Sequence, residues 1–269
     1  MVKDKDKIEA NKIAWGKLAE IQYQRFSELF NKNKMHINPY VEKELGDIKG
    51  KKILHLQCNT GADSILLARK GALVTGVDIV DDNIYYAKKM AEEQGISNIE
   101  FIASDVLELT NVLEGKFDII VTFDGVIGWL PDLNAWGKVL GCFLKDDGYF
   151  YLHDSHPFFL IFDEAKLPKG VLDIKYPYFD KGSDFSELIG GYASDAKKAD
   201  NYFWGHSMST IINGLLTGGL YITYINEYDR CVEGMGGTTL DKDGMSYYPD
   251  FEQKLPIILS IKAKKIINK

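Results

Sequence analysis

The sequence predicts an α/β fold built on a doubly wound, mainly parallel sheet, and three observations carry that expectation. Short apolar runs alternate with helix-patterned segments from residue 53 to residue 153, the rhythm of a parallel sheet with helices on both faces. Within that stretch, KKILHLQCNTG (residues 51–61), a helix-patterned segment and LVTGVDI form a βαβ unit with Gly61 and Asp78 17 residues apart. The turn after its first strand aims backbone N–H groups of the next helix at an anion, and an acid ending its second strand can accept from two ribose hydroxyls. Near the C-terminus, two strand-like runs follow one another with no helix between them, which suggests an antiparallel hairpin at one sheet edge.

In chain order, residues 5–31 read as one amphipathic helix with Ile8, Trp15, Leu18, Ile21, Phe26, Leu29 and Phe30 near the helical period. A segment of this kind ahead of the first strand either covers one sheet face or forms a lid whose Trp15 and Tyr23 close over a nucleotide. Pro39 opens a short helix to Leu45. The first strand is predicted over 53–58, and Asn59 or Thr60 should cap a helix over 62–70, with Asp63 in its first turn complementing the dipole. Gly71 stops that helix.

A second strand is predicted over 73–79, a helix from Asp81-Asp82 to about Gln94, and a third strand over 99–103 that runs into Ser104-Asp105. The fourth strand spans 117–123 and leaves through Asp124-Gly125. A helix over 133–144, an Asp146-Asp147-Gly148 turn and a fifth strand over 149–153 follow. Residues 155–205 break the rhythm and are too long for a plain connection, so they read as an insertion with some strand character. A helix over 207–216, a strand over 220–228, a Gly-rich loop over 230–252 and a last strand over 257–264 complete the chain. The expected organisation is an N-terminal helical cap (1–45), a core (46–155 and 206–269) and an inserted acceptor-side segment (156–205).

Composition narrows the function. With 45% apolar and 26% charged residues the chain is an ordinary soluble globular protein, and its net charge of −7 argues against a duplex nucleic-acid surface, which wants a basic face. Cys58, Cys142 and Cys231 stand at unrelated spacings, so neither a disulfide framework nor a zinc site is expected. Cys58 and Cys142 lie in apolar runs and read as buried thiols. No signal-peptide core or membrane-length apolar run occurs, which fits a reducing cytoplasmic location.

Leu54–Gly61 reads LHLQCNTG and Gly125–Asp132 reads GVIGWLPD. With the seven strands, their βα alternation and the closing hairpin, these resemble bacterial small-molecule enzymes of the class I S-adenosylmethionine-dependent methyltransferases, over roughly residues 40–155 and 206–265. The resemblance implies a Rossmann-like methyltransferase fold with seven strands, and S-adenosyl-L-methionine as cofactor. The family's first loop runs acidic-x-Gly-x-Gly-x-Gly, whereas this chain has His55, Gln57, Asn59 and Gly61. Gln57 and Asn59 would crowd a dinucleotide pyrophosphate, which needs close backbone approach, so the loop favours S-adenosylmethionine over NAD; Asn59 can still take a left-handed conformation. Carried over, the resemblance places Leu56, Gln57, Cys58, Asn59 and Gly61 around the methionine moiety, together with Asp63. Asp78 would hold the ribose and Ile79 the adenine. Ser104, Asp105 and Val106 would lie at the adenine amino group, and Phe123, Asp124 and Gly125 near the sulfonium.

On the acceptor side, the FDGVIGWLPD segment lacks the Asn/Asp-Pro-Pro-aromatic signature of base-amino methyltransferases, which disfavours nucleic-acid bases. Asp124 with Asp154 is too thin for a metal site. His153 and His156 bracket the end of the fifth strand and His206 starts the helix before the sixth. His156 and His206 are the candidates for acceptor contact, each with a structural hydrogen-bonded histidine as the alternative. Trp129, Tyr176, Tyr178, Phe179 and Trp204 could wall an aromatic pocket or form a small core of their own. The expected activity is methyl transfer to oxygen or nitrogen of a small molecule, with neither nucleic acid nor membrane as partner and a homodimer as one option for assembly. The alternatives are a non-catalytic cofactor-binding regulator and an NAD-dependent oxidoreductase.

Overall fold

The structure is a computed structural model that describes residues 4–179, 181–191, 194–231, 236–242 and 244–266. The expected Gly-rich loop over 230–252 is thus partly outside the described residues. Two N-terminal helices, α1 (Lys5–Gly16) and α2 (Ala19–Asn31), stand where one was expected. Gly16 ends the first, and Lys17-Leu18 turn the chain through bonds from their N–H groups to Ala14 O and Trp15 O, as expected where glycine weakens a helix interior. A third helix, α3 (Pro39–Leu45), has proline at its start and the Asn38 side chain accepting from Tyr40 N–H.

The alternating region follows closely on its prediction. Its elements are β1 (Lys52–Leu56), α4 (Ala62–Arg69), β2 (Leu73–Asp78), α5 (Asp81–Glu93), β3 (Ile99–Ala103), β4 (Phe117–Phe123), α6 (Leu133–Phe143) and β5 (Leu144–Ser155). Strand β5 begins before the expected Asp146-Asp147-Gly148 turn, which survives as a register shift in its pairing with β4. The insertion contains a two-stranded antiparallel hairpin, β6 (Ser183–Gly191) and β7 (Ser194–Trp204), outside the main sheet. Then come α7 (Met208–Thr217), β8 (Leu220–Tyr228), a short pair β9 (Thr239–Leu240) and β10 (Ser246–Tyr247), and β11 (Ile258–Lys265).

The seven-stranded sheet has the order β3-β2-β1-β4-β5-β11-β8. Strand β11 runs antiparallel to both of its neighbours, β5 on one side and β8 on the other. The expected hairpin therefore forms, with β11 inside the sheet and β8 at the edge. Alternation along the strands divides the core in two. Ile119, Val121 and Phe123 of β4 face α4 and α5, while Ile120, with Leu54 and Leu56 of β1, faces α6 and α7. On the latter side Gly137 and Gly141 of α6 lie against Gly214 of α7 and Gly218 at its C-terminal cap so tightly that a Cβ at Gly137 would sit 1.8 Å from Gly214 O.

Cys142 is exposed, which corrects the expectation of a buried thiol. It lies on α6 two residues from buried Leu140, hence on the opposite helical face. Cys58 and Cys231 are buried. The strand order reverses between β1 and β4, so the crevice beyond their carboxyl ends is where such a sheet takes a ligand.

Candidate functional site

A cavity of about 940 Å³ opens at that crevice. Its floor is the β1–α4 turn, its sides are the segments after β2, β3 and β4, and its cover comes from α1 and the β6–β7 hairpin. The turn is unusual. Gln57, Asn59 and Gly61 all have left-handed backbone conformations, with φ of 55°, 51° and 79°. All three lie in the region that glycine favours, although two of them carry side chains. Asn tolerates this region, while Gln is strained there, at a cost of roughly 1–2 kcal/mol. The Gln57 side chain leaves the turn and donates to Val126 O (2.9 Å). Asn59 Oδ1 accepts from Thr60 N–H (2.5 Å). Neither Asn59 nor Thr60 caps α4, correcting that expectation, because Gly61 occupies the cap position. Gly61 serves packing: a Cβ there would meet the Phe101 ring at 2.7 Å and Ala87 Cβ at 2.8 Å.

Asp78, at the end of β2, is buried and accepts from Asn59 N–H (2.9 Å), Val80 N–H (3.0 Å) and Asn83 Nδ2 (3.1 Å). Burial raises its pKa, and these donors work against the rise. A carboxylate has about four lone-pair sites, so capacity for further donors remains. Asp105 lines the cavity and also caps the 3-10 helix Val106–Asn111, its Oδ1 accepting from Leu107 N–H (2.9 Å).

The segment after β4 is fastened from β5. Buried Asp154 accepts from the N–H groups of Gly125 (2.6 Å), Val126 (3.0 Å), Ile127 (3.0 Å) and Ser155 (2.6 Å). Asp124, in a left-handed conformation with φ of 51°, turns its Oδ1 to within 2.7 Å of His153 Nδ1. Burial opposes a charge on His153, but adjacent Asp124, with Asp154 and Glu44, outweighs it and raises the histidine's pKa. Asp63 also lines the cavity, where burial, and then the nearby Asp124 charge, push its pKa up to about 7. His55, beneath the turn, is driven down to about 3 by burial and its Nδ1 lies 2.7 Å from Ser64 Oγ.

Of the expected residues, Trp15, Gln57, Cys58, Asn59, Asp63, Asp78, Ile79, Asp105, Val106, Phe123, Asp124 and Gly125 converge on this one cavity. Leu56 and Gly61 support it from beneath without lining it, and Ser104 lines a smaller neighbouring cavity of about 300 Å³. Tyr23 lies elsewhere, stacked on Tyr86 (ring centroids 4.9 Å apart) with its hydroxyl donating to Glu93 (2.6 Å). His156 and His206 are buried off the cavity wall. His156 Nδ1 accepts from Phe158 N–H (3.1 Å), which leaves the proton on Nε2, 2.8 Å from Glu227. His206 Nε2 lies 2.9 Å from Leu130 O, bracing the loop after β4. Among the proposed aromatic walls Trp129 lines the cavity. Trp204 is buried, Tyr176 and Phe179 are exposed, and the Tyr178 hydroxyl accepts from Met208 N–H (3.2 Å).

Sequence reasoning missed Asn11, Gln22, His55, Asn83 and Phe203, all of which line the cavity. Asn11 joins its cover: its Nδ2 donates to Tyr202 O and its Oδ1 accepts from Tyr202 N–H, each at 2.7 Å, as a neighbouring strand would. Trp15 and Phe203 both pack edge-on with Trp129, at 5.2 and 5.3 Å. Among the described lining residues six are Asp or Glu and none is Lys or Arg.

Residues 47–178 match the family described as a methyltransferase domain. A ubiquinone biosynthesis O-methyltransferase of Acinetobacter baylyi is 28% identical over 177 residues, covering 62% of this chain and 73% of that protein. The same-named protein of Coxiella burnetii is 34% identical over 119 residues, 43% of this chain and 49% of its own length. A crystal structure of an S-adenosylmethionine dependent methyltransferase from Mesorhizobium loti superposes with a TM-score of 0.56 at 15% identity, covering 84% of this chain and 96% of the other. A DhpI-SAM-HEP complex superposes with a TM-score of 0.57 at 15% identity, covering 98% of this chain and all (100%) of the other. At these identities the structural likeness establishes the fold.

Proposed function

We propose that this chain, which carries a match to a methyltransferase domain over residues 47–178, is an S-adenosylmethionine-dependent methyltransferase that transfers a methyl group to oxygen or nitrogen of a small molecule held in the cavity beyond β1 and β4. The observation that carries the reading is the charge of that cavity, lined by carboxylates with no Lys or Arg among its described residues. A dinucleotide would bring a doubly negative pyrophosphate against those carboxylates, and Gln57 and Asn59 stand where its phosphates need bare backbone. S-adenosylmethionine has a sulfonium, an ammonium and one carboxylate, so its net positive charge suits the wall. The donor set fits that cofactor.

In this reading Asp78 accepts from the ribose hydroxyls, Ile79 packs on the adenine, and Asp105 with Val106 receives its amino group. The turn from Gln57 to Gly61 wraps the methionine portion, with Asp63 for the ammonium and the first turn of α4 favouring the carboxylate. Phe123, Asp124 and Gly125 border the reacting end. When bound, S-adenosylmethionine supplies a methyl carbon on sulfur, and a nucleophile's lone pair forms the new bond as the carbon–sulfur bond breaks and sulfur keeps the electron pair.

The protein's contribution is chiefly orientation, because an in-line displacement gains most from holding its reactants at near-attack distance. Asp154 clamps the loop that carries Asp124, and Trp15 with Phe203 covers the cavity and excludes water. A phenol or ammonium must also lose a proton. Asp124, held on Oδ1 by His153, is placed to take that proton on its other oxygen. The test is S-adenosylhomocysteine release with a panel of phenols and amines. Turnover by wild type that is lost in Asp124→Asn supports the reading. Cofactor binding without turnover across the panel would point to a sensor and overturn it.

A further inference from the structure

We infer that the acceptor is an amine that enters the cavity as a cation, recognised by unspent carboxylates beside an aromatic wall. The inference rests on the methyltransferase reading and deepens it by choosing nitrogen over oxygen.

The carboxylates that line the cavity are not equivalent. Asp154 is spent on four backbone N–H groups. Asp78 is engaged by two backbone N–H groups and Asn83, and Asp105 by Leu107 N–H, at the ends assigned to ribose and adenine. Asp63 and Asp124 remain at the reacting end, with exposed Glu164 at the rim. Asp63 makes no hydrogen bond to another described residue, and Asp124 has only one oxygen engaged, by His153. A bound cofactor brings one ammonium to this end as a hydrogen-bond donor, and its sulfonium carries charge but has no hydrogen to donate. One more cation would therefore meet at least one carboxylate that nothing else satisfies, whereas a carboxylate or phosphate on the acceptor would find no Lys or Arg among the described lining residues. Taking an anion there would leave like charges facing one another in a partly dry space.

The wall beside these acids suits a cation as well. Trp15, Trp129 and Phe203 line the same cavity and are locked edge to face, with interplanar angles of 85° and 88°. Trp129 is fixed further by its Nε1–H donating to Gly125 O (2.8 Å), one residue from Asp124. Gly128 lets the Phe203 ring lie on the backbone of the same loop, where a Cβ would approach it to 2.1 Å. Aromatic rings held rigidly around a space attract ammonium groups through their quadrupoles, and groups of such rings recur as cages for methylated amines. Asp124 and Trp129 come from the one loop after β4 that Asp154 clamps, so that acid and that ring are presented together. An ammonium seated there can give its proton to the free oxygen of Asp124, which frees the nitrogen lone pair for attack.

The probes are benzyltrimethylammonium, its uncharged carbon counterpart neopentylbenzene, and benzoate, titrated into the full-length protein loaded with S-adenosylhomocysteine. Calorimetry and tryptophan fluorescence read the binding. The cation should bind at least about tenfold more tightly than the neutral counterpart, and benzoate should bind most weakly; a tenfold ratio is about 1.4 kcal/mol. In Asp124→Asn, loaded with S-adenosylhomocysteine, the cation and its neutral counterpart should converge, which separates charge recognition from general damage to the cavity. Equal binding of cation and neutral probe by wild type, or preference for benzoate, would overturn this inference and leave the methyltransferase reading standing. Failure of S-adenosylhomocysteine to load would overturn that reading and this inference with it.

Discussion

Replacing Asn11 by alanine should loosen the cavity's cover while leaving the sheet intact. Asn11 is 5% exposed and makes two 2.7 Å hydrogen bonds to the backbone of Tyr202, 191 positions away in the chain. Each bond contributes about 0.5–1.5 kcal/mol net, and each Tyr202 group left unsatisfied costs about 1–3 kcal/mol, so the variant should lose on the order of 2–4 kcal/mol of docking free energy. The hairpin keeps other holds on α1, namely Lys17 Nζ donating to Lys198 O and the cluster of Ala14, Leu18, Ile189 and Ala199. The loss should therefore appear as local opening. Amide hydrogen exchange should accelerate over residues 183–204 and little in β1 or β4. Cofactor affinity should fall about tenfold, since 1.4 kcal/mol of that docking energy corresponds to one decade. Unchanged exchange over 183–204, or acceleration spread evenly over the sheet, would refute the reasoning.

Three further outcomes follow from the same geometry. Gly137→Ala should destabilise the whole domain by at least about 1–3 kcal/mol, read by denaturant unfolding, because its Cβ would collide with Gly214 O and α6 would have to leave α7. Asp154→Ala should cost on the order of 3–5 kcal/mol, since four backbone donors lose a charged acceptor; an unfolding midpoint within error of wild type would contradict this. Asp63 titrates at about 7 in the folded chain and near ~3.9 when unfolded. The folded state binds the extra proton, so its stabilising effect is complete below pH ~4 and is lost as pH rises through about 7. Asp63→Asn should accordingly raise the melting temperature of the ligand-free protein at pH 8 and change it little at pH 4.

How much of this was legible in the sequence depends on how local each feature is. Asp78, Asp105 and Asp124 stand at strand ends, and a strand end is marked by its own apolar run and the turn that follows, so their convergence could be expected from chain order. The Gln57–Asn59 turn was legible as a departure from glycine, yet its left-handed path depends on the Gln57 tether to Val126, a contact no local pattern encodes. Asn11 and Phe203 reach the cavity only because the hairpin folds back across α1, and a lone Asn on an amphipathic helix carries no signal of that. His156 and His206 sit at the expected element ends, but strand-end position says nothing about side-chain direction. Each is turned toward a partner of its own, Glu227 for one and Leu130 O for the other. Tyr23 fails for a related reason: the break at Lys17-Leu18 rotates α2 relative to α1, and its ring lands on Tyr86. Within the described residues, no helix is long and apolar enough to cross a membrane.

The most direct test of the central claim is calorimetric titration of S-adenosylmethionine, S-adenosylhomocysteine and NADH into wild type and Asp78→Ala. Loss of charge-assisted hydrogen bonds to ribose, each about 1.5–3 kcal/mol, should weaken binding at least tenfold. The predicted result is that the first two ligands bind wild type, that the variant loses them by at least that factor, and that NADH binds neither protein. Binding of NADH alone, or full affinity for S-adenosylmethionine in Asp78→Ala, would contradict the account.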